Sequence, residues 1–377
     1  MTHPLIVDAH QDIAYNILSF GRDYTLSAAD TRRLEIGTQT PQRNGDTLLG
    51  WPDYQRGNVA VVFSTLFAAP GHRREGDWET LVYTDYAEAH SLYRAQVDAY
   101  HRLADDHPEY FSLVQTQVDL KSILDEWKNN PIQEEVHPEE GYPVRQGNPV
   151  GLVLLMEGAE GIRHPDELEE WWEMGVRMVG PAWAGTRFCG GTHEPGPLTK
   201  DGLALLEGMA DLGFGLDISH MDETAVLQAL DMYPGTIFAS HSNAASLLRT
   251  DSNRHLSNRV IHGVIERNGM IGTVFYNSFL KGGWRRGDRR DEVTLGHVIT
   301  QIDTICQVAG DARHVGLGTD FDGGFGVQSV PPEIDTIADL QKLTPLLSER
   351  GYSQEEIDGI LGQNWLTMLQ KILPPGS

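Results

Sequence analysis

Eight short apolar runs, with helical patterns between most of them, constrain the fold of this 377-residue chain more than any other feature. The runs are Leu5–Ala9, Val59–Leu66, Val150–Met156, Arg177–Pro181, Phe214–Ser219, Thr236–Ser240, Met270–Phe275 and His314–Gly318. They are rich in Val, Ile, Leu and Phe and do not alternate cleanly, as strands buried on both faces read. Between them, Asp166–Met174, Thr199–Leu212, Asp222–Met232, Asn258–Asn268 and Thr294–Ala309 carry apolar residues three and four apart, the helical period. Gly213 and Asn268-Gly269 follow as stop signals. Strands alternating with helices predict a parallel sheet, and eight strands close a (β/α)8, or TIM, barrel. The competing open, doubly wound sheet normally carries a glycine-rich phosphate loop after its first strand, and Asp8–Ile13 contains no glycine.

One long interruption falls at Phe67–Asn148. Glu79–Asp106 and Gln115–Asn130 read as helices within it, and the charged, proline-containing Asn129–Asn148 reads as a loop. Ser353–Leu373 reads as a final helix opened by a capping box, Ser353 with Glu356. The expectation is one barrel domain over residues 1–377, elaborated at 67–148 and finished by a C-terminal helix at 353–373.

Bulk composition narrows the partners. With 29 basic and 54 acidic residues, the net charge of −25 disfavours nucleic acid and anionic membrane, both of which select basic patches. Neither a signal peptide nor a membrane span is visible. The two cysteines, Cys189 and Cys306, make no disulfide framework and no thiolate cluster, which suits a cytoplasmic, reducing location. A bound metal would therefore take His and carboxylate ligands.

Such ligands stand at the ends of five apolar runs. His10 and Asp12 follow the first, where side chains two apart in an extended chain point the same way. Glu157 ends the third; Asp217-Ile218-Ser219-His220 ends the fifth; Ser240-His241-Ser242 ends the sixth; Thr319-Asp320-Phe321-Asp322-Gly323 ends the eighth. In a barrel enzyme the C-terminal strand ends form the active face, so these side chains converge. Asp322 reads as a partner for nearby backbone amides. Imidazoles with carboxylates suit Zn²⁺ or a similar ion. Five or six ligands suit two ions, with Glu157 as the carboxylate that can bridge. Two ions roughly 3.5–4 Å apart would share a water and make it a hydroxide at neutral pH, the basis of metal-assisted hydrolysis.

His10-Gln11-Asp12, Glu157-Gly158, Ser219-His220, Ser240-His241-Ser242 and Gly318-Thr319-Asp320-Phe321-Asp322-Gly323 resemble, in order, the motifs of the membrane (renal) dipeptidase family, metallopeptidase family M19. Leu361-Gly362-Gln363-Asn364 is similar to that family's C-terminal helix. The resemblance implies a metal-dependent hydrolase barrel with two zinc ions, cleaving dipeptides that carry a free carboxylate and often accepting a D-residue at the C-terminal position. His10 and Asp12 would bind one zinc, His220 and His241 the other, and Glu157 both. Asp320 would match the acid/base and Arg254 the arginine that binds the substrate carboxylate, with Arg249 and Arg259 as rivals. The family also implies a homodimer.

One position departs from the pattern. Where the dipeptidases place a His after the fourth strand, this chain has Trp183, in Gly180-Pro181-Ala182-Trp183-Ala184-Gly185. An indole N–H can donate one hydrogen bond but can neither ligate metal nor shuttle protons. Trp183 is thus expected in the substrate pocket, as a wall, with Arg187 or His193 as candidate substitutes for the missing His. Lys281–Arg286 reads as a solvated loop, Trp171-Trp172 as packing and Cys189 as an unreactive thiol. Two alternatives stay open: hydrolysis of an N-acyl amino acid, lactone or phosphoester on the same barrel, or a metal-binding barrel without catalysis.

Overall fold

A computed structural model describes residues 3–130, 147–248 and 250–376. All eight expected strands are present, as β1 (Ile6–Gln11), β2 (Val59–Leu66), β3 (Val150–Glu157), β4 (Val176–Gly180), β5 (Gly215–Asp217), β6 (Ile237–Ala239), β7 (Met270–Thr273) and β8 (Val315–Leu317). Each pairs in parallel with its neighbours, and the β8–β1 pairing closes the barrel. That seam has one ladder pair, Asp8 with Leu317. Buried Asp8 reinforces it by accepting from the Thr319 amide at 2.7 Å and the Thr319 hydroxyl at 2.6 Å. The lack of alternation is explained by burial: β1, β2 and β3 are buried at every position, with the barrel interior on one face and helices on the other.

The expected helices form at Lys200–Leu212, Glu223–Met232, Asn258–Glu266 and Leu295–Ala309, and Leu168–Glu173 follows a short 3₁₀ turn. Gly213 ends its helix in the left-handed conformation, as the sequence indicated. Four short helices between β1 and β2, starting with Ile13–Phe20, were not apparent from periodicity, because each is eight residues or fewer. The interruption holds the expected long helix, Tyr86–Asp106, and Gln117–Asn129. It also holds a strand that no pattern announced: Phe111–Leu113 pairs with the start of β3, beside the stretch that β4 takes over at Leu154. The expected loop at 129–148 falls largely outside the described residues.

The capping box at Ser353 and Glu356 is formed. The final helix is continuous through a π turn at Gly359–Gln363, where Gly362 passes so close to β1 that a Cβ would stand 2.6 Å from the Leu5 carbonyl. This approach brings Trp365 against Phe63 and Phe238, with its indole N–H on the Leu317 carbonyl at 2.9 Å. Among the described residues, no helix is long and apolar enough to cross a membrane.

Candidate metal centre

The five candidate ligands meet at the C-terminal mouth of the barrel. His10 lies inside β1, and Asp12 follows as the residue that opens the next helix. Glu157 is the last residue of β3, while His220 and His241 stand just beyond β5 and β6. All five are buried or nearly so. His220 has φ 65 and Asp320, beyond β8, φ 63. Left-handed backbone at non-glycine residues costs energy and concentrates where a side chain must be aimed.

Glu157 addresses two groups with two different oxygens. Its Oε2 lies 3.8 Å from His10 Nε2; its Oε1 lies 3.1 Å from His220 Nε2 and 3.4 Å from His241 Nε2. Around His10, Nε2 is 3.7 Å from Asp12 Oδ2 and 3.9 Å from Asp320 Oδ1. His220 Nε2 and His241 Nε2 are 3.0 Å apart.

Outer partners fix which imidazole nitrogens face inward. The Ser240 hydroxyl donates to Asp217, so its oxygen accepts from His241 Nδ1–H at 2.8 Å and leaves the Nε2 lone pair for the centre. Asp217 is held in turn by the Ser219 and Ser240 amides, both at 2.9 Å. Thr192 Oγ1 plays the corresponding part on His220 Nδ1, at 2.9 Å. Burial first, then the positive charges of Arg254 and His10, hold His220 and His241 well below the usual imidazole range, in the neutral form that ligates.

These residues fit a cation centre. His220 Nε2, His241 Nε2 and Glu157 Oε1 converge, and Glu157 Oε1 and Asp12 Oδ1 are buried without a hydrogen-bond partner. Leaving such groups unpaired is costly, and bound divalent cations would satisfy them. Three carboxylates crowd His10. Burial alone would lower its pKa, but Glu157, then Asp12 and Asp320, outweigh burial and push it up to about 10. Asp320 is pushed up to about 7 by burial and the Asp12 charge, against His10 and Arg254. Glu157 is raised for the same first reason. The cluster gathers negative charge that a metal would neutralise.

A cavity of about 610 Å³ opens over the centre. Arg254 is buried in its wall, its guanidinium donating to the Ser242 hydroxyl at 3.0 Å and the His241 carbonyl at 2.7 Å, while its Nε–H has no partner. Its rival Arg259 sits on the outer helix Asn258–Glu266, exposed to solvent and away from the cavity, and Arg249 lies outside the described residues. Trp183 lines the cavity, packed on Phe67 and beside His220, with ring centroids 5.0 and 6.1 Å away.

Of the candidate substitutes for a His at this position, His193 lines the cavity. Arg187 does not; it turns back to the Ile162 carbonyl and packs on Tyr86 and Phe188. Asp322 is structural, as read: it accepts from Tyr24 at 2.9 Å, Arg22 at 3.1 Å and the Leu48 amide at 2.9 Å. The solvated-loop reading of Lys281–Arg286 holds for Gly282, Gly283, Arg285 and Arg286, which are exposed, but not for Trp284. Trp284 is buried and, with Gly282, Gly283 and Arg286, helps to wall the cavity, because its ring packs against Tyr276. Cys189 is buried, and burial pushes its thiol up to about 12. Trp171 is fully buried. Sequence reading missed Asp217, Ser240 and Thr192 as orienting groups. Asp217, two residues before Ser219 at the same strand end, offered the one local hint.

Residues 136–373 match the model of the family described as membrane dipeptidase, peptidase family M19. An uncharacterised protein from the pqqA 5′ region of Klebsiella pneumoniae is 30% identical over 60% of this chain and 84% of its own length. An uncharacterised dipeptidase of Schizosaccharomyces pombe is 25% identical over 97% of this chain and 80% of its own. Among solved structures, a metallopeptidase from Rhodobacter sphaeroides, liganded with a phosphinate mimic of the dipeptide L-Ala-D-Ala, superposes with a TM-score of 0.76 at 22% identity, covering 98% of this chain and 99% of that one.

Proposed function

The chain belongs to the membrane dipeptidase family, peptidase family M19, the metal-dependent hydrolases, and from that premise we propose that it is a dizinc dipeptidase acting on dipeptides with a free α-carboxylate. In this reading His10 and Asp12 hold one ion, His220 and His241 the other, and Glu157 both. The observation that carries it is the split of Glu157, with Oε2 toward His10 and Oε1 toward His220 and His241. A single-ion site would need no carboxylate shared between two groups in this way.

When bound, the ions supply a hydroxide nucleophile at neutral pH and polarise the scissile carbonyl. Asp320, close to His10 and raised toward neutrality, takes up the proton released at attack and delivers it to the leaving amine. Arg254 has an unused N–H in the cavity wall and presents a planar fork suited to a carboxylate. Trp183 with Phe67 forms an apolar wall against the substrate. The Rhodobacter relative's ligand mimics a dipeptide ending in a D-residue, which supports acceptance of L,D as well as L,L substrates here.

The test is hydrolysis of an L,L and L,D dipeptide library by zinc-reconstituted protein, with a chelated control and metal counted by mass spectrometry. Cleavage abolished by chelation, with two ions per chain, is expected. Inert dipeptides alongside cleavage of an N-acyl amino acid, lactone or phosphoester would overturn the substrate reading.

A further inference from the structure

The cavity contains a second buried charge that the proposed mechanism leaves unused. Glu79 is only 6% exposed and lines the same cavity as the metal centre. It accepts from the Tyr15 hydroxyl at 3.1 Å and the Glu75 amide at 2.8 Å. Each oxygen thus has one donor and one lone pair to spare. Among the described residues Glu79 makes no ion pair, although buried carboxylates are nearly always paired. Arg43, a nearby cation in the wall, is engaged with Gln39 and lies over the Trp78 ring at 5.4 Å. Arg73 is taken by Glu194 at 2.6 Å. Burial raises the Glu79 carboxyl above its ordinary range, against the charge of Arg74, whose guanidinium is itself engaged with Asp77 at 3.5 Å.

Arg254 is its complement: buried, positive, and also without an ion pair among the described residues. The barrel places the two on opposite sides. Glu79 stands on the segment that follows β2, fastened to Tyr15 on the helix that Asp12 opens. Arg254 stands beyond β6, fastened to the His241 carbonyl. In a closed ring of eight strands, β2 and β6 are four places apart, and both groups line the one cavity over the metal centre.

Resting on the dipeptidase reading, we infer that Glu79 binds the substrate α-ammonium and makes the site selective for zwitterionic dipeptides with a free amino terminus over N-blocked or desamino analogues. A dipeptide carries its two charges at its two ends with the scissile bond between them. An ammonium brings three N–H donors to a carboxylate that has two open lone pairs.

The test uses the full metal-loaded chain and two non-hydrolysable phosphinate isosteres, one with the amino group and one without, measured by titration calorimetry. The wild type is expected to bind the amino isostere about ten- to a hundredfold more tightly, the range for a charge-assisted hydrogen bond. Glu79→Gln should lose most of that preference while binding the desamino isostere as the wild type does, which also reports that it is folded. If Glu79→Gln does not fold, Glu79→Asp withdraws the charge by one methylene and should lower the preference. A preference unchanged in the folded variant, or absent from the wild type, overturns the inference. Dipeptide hydrolysis by the wild type is measured separately. Its absence refutes the dipeptidase reading, whereas a lost isostere preference with hydrolysis intact bears on Glu79 alone.

Discussion

Two neighbouring glycines should respond in opposite ways to the same substitution. An alanine Cβ at Gly323 would stand 2.0 Å from Asp320 Oδ1 and 2.9 Å from Asp12 Oδ2. Ordinary contacts with a Cβ lie at 3.4 Å or more, so the Asp320 carboxylate must withdraw by more than about 1 Å or rotate out of its aim. A 1 Å misplacement of a catalytic group costs about a hundredfold in rate. Overpacking adds about 1–3 kcal/mol of lost stability. Gly324 has φ 82, and a methyl group there would have nothing within 4 Å, so alanine meets backbone strain of about 1–2 kcal/mol and no side chain of the centre. Gly323→Ala is therefore expected to lower kcat/KM for a dipeptide about a hundredfold or more and to weaken metal retention through Asp12. Gly324→Ala should keep kcat/KM within about threefold at a similar loss of thermal stability. Steady-state kinetics, metal analysis and thermal melts on both variants make the test. Full activity and full metal content in Gly323→Ala would refute the placement of Asp320 and Asp12 as working groups.

Asp320→Asn should retain both ions while turnover falls by about 10²–10⁴, the usual weight of a general acid–base; unchanged turnover would remove Asp320 from that role. Arg254→Lys keeps the charge but loses the fork, so KM is expected to rise about tenfold with a smaller change in kcat, and an unaltered KM would count against carboxylate binding. Asp322→Asn removes one of the two carboxylates, with Glu35, that face buried Arg22, at about 1–3 kcal/mol, and should lower the melting temperature with metal content kept. Burial pushes Cys189 up to about 12 and Cys306 up to about 11, so at pH 8 both stay protonated and the folded protein should resist iodoacetamide; rapid labelling would contradict their burial.

Much of this molecule is legible along the chain because the information is local. Each barrel strand is a buried apolar run, and each candidate ligand stands within three residues of a run's end, so counting strands located the mouth where the candidates converge. Within Lys281–Arg286 the burial of Trp284 was not legible, because charge and glycine outweighed one tryptophan and Tyr276, on whose ring it packs, is related to it by no periodicity. Phe111–Leu113 escaped notice because three residues carry too little pattern, and its strand character comes from the free edge of β3.

What the amino-acid order determined by itself is the eightfold alternation, the chemistry of the ligand set and its distribution over five strand ends. What only the tertiary structure decided is which lone pair each imidazole presents, which oxygen of Glu157 meets which group, and which charges share the cavity. Those are properties of contacts between residues such as Ser240 and Asp217, Thr192 and His220, or Tyr15 and Glu79. Hydrogen-bond direction and the loss of a counter-ion on burial arise only when separate segments pack. No reading of spacing along one strand contains them.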